Sequence, residues 1–226
     1  ILKKIDEIEK AIKNINKQED ITIKNINKQE DINYNINNKF IIFIPYCDGY
    51  KNYIDECLNS VFNQGYVNYE IIIINDGGNL FYLNKYLEND KITILNFEKN
   101  NGPAFSKWKF VEYIQTNLKN YNKNDICIIL DGGDSLLNNS LNIINNTYIN
   151  KKCWCTFGDS SGIVMETNRK YYHANRDYSK IRNSRWFANH PITMKLFLLM
   201  EIKEIDFKYN NKWLKQFTDR IMIYKI

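Results

Sequence analysis

The sequence predicts an α/β protein with a Rossmann-like, mostly parallel sheet flanked by helices and preceded by an N-terminal helical repeat segment. From residue 39 onward, short β-branched and aromatic runs alternate with segments whose apolar residues recur at helical spacing. Glycine, asparagine and aspartate cluster after these runs. Strands and helices that alternate in this way form βαβ units, in which the strands are parallel and the crossovers right-handed.

Residues 1–38 differ from the rest of the chain, because they lack proline, glycine and cysteine. The string NINKQEDI occurs at residues 14–21 and again at 25–32, an internal repeat of eleven residues. Apolar residues follow steps of four and three, as along one stripe of a helix, at Ile1, Ile5, Ile8, Ile12 and Ile15. An eleven-residue period is typical of straight or slightly right-handed coiled coils, so we expect an oligomerising stalk. The alternative is an isolated, partly frayed helix or a linker, since asparagine lowers helix propensity.

The second region begins with four apolar runs that are expected to be buried strands, at Phe40–Pro45, Glu70–Asn75, Ile92–Asn96 and Ile126–Leu130. Helical spacing predicts helices over Tyr53–Gln64, Pro103–Asn117 and Leu141–Tyr148, and a further short strand is expected within Cys153–Gly158. Polar clusters follow the four strands, at Pro45–Asp48, Asp76–Asn79, Asn100–Gly102 and Asp131–Asp134. The ligand crevice of a parallel sheet lies outside the carboxyl ends of its strands, so these clusters predict a binding site.

Composition excludes several classes of protein. The 31 basic and 26 acidic residues are interspersed, so we expect no nucleic-acid partner despite the net charge of +5. The apolar runs are too short for a membrane segment, and five cysteines without a CxxC pair favour reduced thiols. With no signal peptide in this sequence, we expect a cytoplasmic or virion-associated location. The abundance of Asn, Ile, Lys and Tyr is typical of an AT-rich genome, such as that of a giant virus.

The strand-end clusters suit a nucleotide diphosphate. Carboxylates can bind a ribose, and Asp48 and Asp76 are placed for this first task. Carboxylates can also bind a divalent cation that bridges phosphates, which is a second task. Asp131 and Asp134 are placed for the second task, and an oxygen-rich site favours Mg²⁺ or Mn²⁺. Neither GxGxxG nor GxxxxGK[ST] occurs, which disfavours a Rossmann dehydrogenase and a P-loop kinase.

Three stretches carry a family resemblance: IPYCDGYKNYIDECLNSVFNQGYVNYEIIIINDGG, KNNGPAFSKW and ICIILDGGD. In this order they resemble the opening blocks of family 2 glycosyltransferases, which have the GT-A fold and a DxD-like motif. The resemblance implies a glycosyltransferase domain over 39–226, with nucleotide-sugar binding in 39–134, the acceptor side in 135–226 and a shortened C-terminal helix. It implies that the nucleotide sugar contacts Pro45, Tyr46, Asp48, Asp76, Gly77, Lys107, Asp131 and Gly132. It also implies metal binding by Asp134 and Asp131.

The second half of the domain supplies two further candidates. Asn189-His190-Pro191 resembles a step that precedes a helix in the family, and His190 is a candidate ligand contact, although a lone histidine is more often structural. WLKQFTD resembles the family's terminal block, in which an acidic residue is the general base, so Asp219 is the expected catalytic residue. The alternative is that Asp219 only caps a helix over Arg220–Lys225.

These observations predict an inverting glycosyltransferase that moves a hexose from a UDP-sugar to an unknown glycan, protein or small-molecule acceptor, with Mn²⁺ or Mg²⁺ as cofactor. The chain departs from the family at Gly133, which stands where members carry an aspartate, and at Asn75, where a second acid is common. Gly133 keeps a second hypothesis open: a catalytically degenerate nucleotide-binding or structural module, oligomerised by residues 1–38. A nucleotidyltransferase is disfavoured, because Pro45–Tyr50 lacks a basic, glycine-rich signature.

Overall fold

The computed structural model describes residues 37–158, 189–216 and 218–224. The described fold belongs to the unit of the chain that begins at Asn38. Residues 1–36 lie outside the described ranges, so the helical stalk and the homo-oligomer that it would form remain predictions. None of the helices within the described ranges is long and apolar enough to cross a bilayer.

A six-stranded sheet forms the centre of this unit, with the strand order β3-β2-β1-β4-β6-β5. Its strands are β1 (Phe40–Tyr46), β2 (Tyr69–Asp76), β3 (Ile92–Phe97), β4 (Ile126–Ile129), β5 (Cys155–Gly158) and β6 (Asn189–Lys195). The first four are parallel to one another, whereas β6 runs antiparallel to both β4 and β5. The prediction of a mostly parallel sheet is confirmed, and the first four strands begin and end within one residue of their expected bounds.

Helices cover both faces of the sheet: α1 (Ile54–Phe62), α2 (Pro103–Thr116), α3 (Ser140–Lys151) and α4 (Thr218–Tyr224). Short 3-10 segments occur at Asp48–Tyr50, Leu80–Tyr86, Leu118–Asn120, Leu196–Glu201 and Glu204–Phe207. A small hairpin pairs β7 (Lys208–Tyr209) with β8 (Lys212–Trp213). Isoleucines and phenylalanines of β1 point alternately into two cores. Ile41 and Phe43 pack towards α2 and α4, whereas Ile42 and Ile44 pack towards α1 and α3. Burial on both faces explains why β1 is a continuous apolar run.

Two expectations about the second half are wrong. His190 and Pro191 lie within strand β6 and not before a helix, and the 3-10 segment that follows begins only at Leu196. The reason is tertiary: Ile192 and Thr193 pair with the open edge of β4, which satisfies the backbone groups of that edge. Asp219 lies in the first turn of α4, which begins at Thr218, so it is not the N-cap of a helix starting at Arg220.

The strand order places a topological switch point between β1 and β4. From β1 the chain passes through α1 to β2 and on to β3, and it then returns through α2 to β4 on the other side of β1. Because α1 and α2 lie on opposite faces, the two connections diverge and leave a crevice above the ends of β1 and β4.

The Ser-Val-x-x-Gln step of α1 anchors the loop that follows β4. Gln64 is buried, and its Nε2 donates to the Ser60 and Leu137 carbonyls at 2.8 and 2.9 Å, while its Oε1 accepts from Leu141 N at 3.1 Å. Ser60 Oγ accepts from Leu136 N at 2.9 Å. These two side chains therefore hold both ends of the segment between the Asp131–Asp134 turn and helix α3.

Replacing Gln64 by leucine should lower the free energy of unfolding by about 2–4 kcal/mol, because the buried N–H of Leu141 and the carbonyl of Leu137 would lose their partner. Chemical denaturation monitored by circular dichroism would measure the change. The matched control is Asn59→Ala, an exposed position on the same helix, with an expected effect within about 0.5 kcal/mol. Equal effects of the two substitutions would contradict the anchoring role.

Candidate functional site

A cleft of about 350 Å³ opens at the switch point. Its walls come from the end of β1, the end of β2, the turn before α2, the first turns of α2, the end of β4 and the segment leading into α4. The lining residues are Pro45, Tyr46, Cys47, Tyr50, Asp76, Asn100, Gly102, Pro103, Ser106, Lys107, Asp131, Lys215, Gln216, Thr218 and Asp219. Residues far apart in the sequence thus share one concave surface, the usual form of a small-molecule site.

Asp76 supports the wall of the cleft as well as lining it. Its Oδ2 accepts from Gly102 N at 2.7 Å and its Oδ1 from Asn101 N at 2.9 Å, so it caps the backbone donors that precede α2. Only 3% of Asp76 is exposed. Gly77 then turns the chain with a φ of 73°, and a Cβ there would lie 2.3 Å from Asn100 N. Gly77 is therefore required by this close approach, and it does not line the cleft.

Asp48 joins two of the strand-end loops. Its Oδ1 accepts from Asn79 N at 2.6 Å, which ties the segment after β1 to the segment after β2. The residue is exposed and lies outside the cleft lining. Tyr46 lines the cleft but is almost fully buried, and its hydroxyl has no hydrogen-bond partner among the described residues. Burial, and then the charge of Asp48, raises the pKa of Tyr46 to about 12.

Asp131, Asp134 and His190 converge at the end of β4. One ligand atom from each lies within 4.8 Å of the others, close enough to meet on one cation. Partial burial of its carboxyl group, and then repulsion from Asp131, raises the pKa of Asp134. His190 Nδ1 lies 3.4 Å from the Ile129 carbonyl oxygen, so the tautomer protonated at Nδ1 donates there and leaves the Nε2 lone pair for a ligand.

A buried lysine faces the candidate base. Lys107 Nζ lies 3.1 Å from Asp219 Oδ1, and only 4% of the Lys107 side chain is exposed. His190 Nε2 lies 3.9 Å from Asp219 Oδ2, too far for a hydrogen bond but close enough for charge attraction. Burial would raise the pKa of the Asp219 carboxyl, but His190 and Lys107 outweigh burial and hold it well below its usual range. Burial lowers the pKa of His190, and Asp219 and Asp131 more than offset this, so the net shift is upward.

The turn between Asp131 and Asp134 lies against an aromatic ring. A Cβ at Gly133 would lie 3.1 Å from Cδ1 and Cε1 of Tyr50, and a Cβ at Gly132 would lie 2.9 Å from the Pro45 carbonyl oxygen. Burial, and then the charge of Asp131, raises the pKa of Tyr50 to about 12. The ring is therefore a neutral phenol that lies beside the two glycines.

The cleft includes six of the residues expected from the sequence, and the other five lie around it. The lining contains Pro45, Tyr46, Asp76, Lys107, Asp131 and Asp219, whereas Asp48, Gly77, Gly132, Asp134 and His190 are not part of it. The sequence reasoning missed Tyr50 and Lys215 in the lining. Each of the two lies close in the sequence to a predicted site residue: Tyr50 is two residues after Asp48, and Lys215 is four residues before Asp219. This proximity is the one feature of the sequence that could have indicated them.

A strand-end cleft at a switch point, bordered by carboxylates and lysines, is the place where open α/β domains bind their ligands. The chain belongs to glycosyl transferase family 2, whose model matches residues 41–200. The comparison with curated proteins found no match.

Solved structures share the fold. The chain is similar to S. aureus TarS 1-349, with a TM-score of 0.60 and 17% identity over 83% of this chain and 54% of that one. The complex of TarS 1-349 with UDP-GlcNAc gives a TM-score of 0.59 and 18% identity over 83% of this chain and 52% of that one. The chain therefore spans about half the length of TarS 1-349. These likenesses identify the fold as GT-A.

Replacing Asp76 by alanine should lower the free energy of unfolding by about 2 kcal/mol without any nucleotide, because the donors before α2 would lose their cap. Thermal and chemical denaturation of the ligand-free protein would measure this. Asp90→Ala is the control, since Asp90 is an exposed aspartate in the turn before β3. If Asp76→Ala left the ligand-free stability unchanged, Asp76 would have no structural role.

Proposed function

We propose that this chain is an inverting, metal-dependent glycosyltransferase that uses a nucleotide diphosphate sugar, with a UDP-sugar as the donor. One observation carries the proposal. A group of potential metal ligands, Asp131, Asp134 and His190, lies beside the buried Lys107 and its partly exposed partner Asp219 at the switch point of the sheet. Membership of glycosyl transferase family 2 supports the reaction class. The UDP and UDP-GlcNAc complexes of TarS support the choice of donor.

The cleft has the charges that a diphosphate requires. Lys107 and Lys215 both line it, and Lys215 Nζ lies 3.5 Å from where a Cβ of Gly102 would be, above the start of α2. Lys215 would face the phosphate oxygens directly, whereas Lys107 would share its charge between them and Asp219. The base and ribose would then lie towards Pro45, Tyr46 and Asp76, at the ends of β1 and β2.

The residues at the end of β4 fit a divalent cation. Two carboxylates whose charges repel each other supply oxygen ligands that both Mn²⁺ and Mg²⁺ accept, and the one imidazole nitrogen suits Mn²⁺ more than the harder Mg²⁺. Asp131, Asp134 and His190 would hold the ion, which would neutralise the departing diphosphate when bound. Because Asp134 and His190 complete this set, the glycine at position 133 does not remove the metal site.

Asp219 has the position of the general base. In an inverting transfer the acceptor oxygen bonds to the anomeric carbon, the bond from that carbon to the diphosphate breaks, and the electron pair leaves with the nucleotide. The proton of the acceptor hydroxyl passes to Asp219 Oδ2 or Oδ1. The Asp219 carboxylate is ionised before the reaction, as a base must be, while His190 and Lys107 lower its affinity for the proton. Asp219 is 29% exposed at its side chain, so an acceptor entering from solvent can reach it.

The proposed donor site can be tested by calorimetry with UDP, in the presence of Mn²⁺ and after removal of metal by EDTA. We expect UDP to bind with Mn²⁺ and to bind about tenfold or more weakly without it, because the ion would balance the diphosphate charge. His190→Ala should reduce the Mn²⁺-dependent part of the affinity to a similar degree, whereas Asp90→Ala, an exposed position before β3, should not. Absence of UDP binding in both conditions would contradict the proposal.

The proposed base can be tested by replacing Asp219 with asparagine, which keeps the shape of the side chain but removes its basicity. Donor turnover should fall by about 10²–10⁴-fold while UDP affinity stays within a few fold of wild type. A screen of nucleotide sugars that measures released UDP would provide the rates. Unchanged turnover would refute the assignment of Asp219. UDP binding without turnover of any donor in the wild-type protein would instead favour the degenerate binding module.

A further inference from the structure

The glycine at position 133 is not needed for backbone conformation. Among the described glycines, those with positive φ are Gly65, Gly77 and Gly102, so Gly132 and Gly133 have backbone angles that other residues adopt readily. The turn is closed by a hydrogen bond of 2.8 Å from Asp134 N to the Asp131 carbonyl, which any residue type at 133 would permit. Some other constraint must therefore explain the absence of a side chain.

Space provides that constraint. The ring of Tyr50 lies against the positions that side chains at both glycines would take: Cδ1 and Cε1 lie 3.1 Å from an ideal Cβ at Gly133, and Cδ2 lies 3.2 Å from one at Gly132. Distances this short force the neighbouring group to move. Tyr50 is itself held in a tight turn, since its N donates to the Cys47 carbonyl and its carbonyl accepts from Tyr53 N, both at 2.9 Å. The backbone of Tyr50 is therefore held in place, and a side chain at position 133 would have to displace the ring by rotation about its side-chain bonds.

We propose that Tyr50 and Gly133 are a matched pair, in which the Tyr50 ring takes the volume that a side chain at position 133 would occupy. In this arrangement the ring supports the turn from Asp131 to Asp134 and so sets the separation of the two carboxylates. Tyr50 is a positioning residue for the metal site, a role that rests on the proposed function. Gly133 is then an adaptation to Tyr50 and not a sign of lost activity.

The pairing predicts that the cost of a methyl group at position 133 depends on the residue at position 50. Gly133→Ala should lower the melting temperature of the ligand-free protein by about 4 °C with Tyr50 present, and by less than about 1 °C in the Tyr50→Ala background. The control is Gly49→Ala. Gly49 is exposed in the adjacent turn, has no positive φ, and its Cβ would be 3.7 Å from the nearest atom, so the melting temperature should not fall. Equal shifts in both backgrounds would overturn the pairing.

The positioning role has a separate readout, the affinity for Mn²⁺ titrated into protein saturated with UDP. Tyr50→Ala should weaken Mn²⁺ binding roughly tenfold, as expected for a residue that supports metal ligands, whereas Tyr50→Phe should retain it because the ring remains. Unchanged Mn²⁺ affinity in Tyr50→Ala would overturn the positioning role. If wild type bound neither UDP nor Mn²⁺, the proposed function and the positioning role would both fail, while the melting temperatures would still decide the pairing.

Discussion

Strand β1 pairs in parallel with β2 on one side and with β4 on the other, and this double pairing determines where the functional groups lie. Phe40 is opposite Tyr69 in β2 and opposite Ile126 in β4, so the three strands run in register and end at the same edge. Both faces of β1 are buried, and a shift of one residue would turn its side chains into the wrong core. The register is therefore strongly determined, and with it the meeting of Pro45, Asp76 and Asp131 around one cleft.

The electrostatics of the cleft follow from what this edge brings together. A lysine as buried as Lys107 is stable only with a partner, and Asp219 of α4 provides one. At the end of β4, by contrast, two carboxylates lie near each other with the imidazole of His190 beside them. The carboxylates at the end of β4 thus favour a cation, and Lys215 at the start of α2 adds a positive charge to the opposite wall of the cleft.

Several residues that the resemblance assigns to the ligand also hold the protein together. Asp76 caps the backbone before α2, Asp48 links two strand-end loops, and Gly77 permits the close approach of the chain at Asn100. This double role is expected at the carboxyl end of a strand. The turns there bury polar groups, and buried polar groups need hydrogen-bond partners within the protein. Loss of activity on mutation of these residues therefore needs a stability measurement before it is assigned to binding.

The sequence by itself determined the strands and α-helices from Phe40 to Ile129, because the spacing of apolar residues follows which side chains each element buries, and it also indicated the family. It predicted Asp76, Lys107, Asp131 and Asp219 as site residues, and all four line the cleft. Strand-end polar clusters and short motifs can be predicted in this way because they are contiguous in the chain. The tertiary structure decided that His190 belongs to a strand, because the exposed edge of β4 takes Ile192 and Thr193 as partners. It also decided that the Tyr50 ring lies beside Gly133. Lys107 likewise forms an ion pair with Asp219, which is 112 positions further along the chain. Such contacts depend on how distant segments fold back on one another, and neither composition nor periodicity records that geometry.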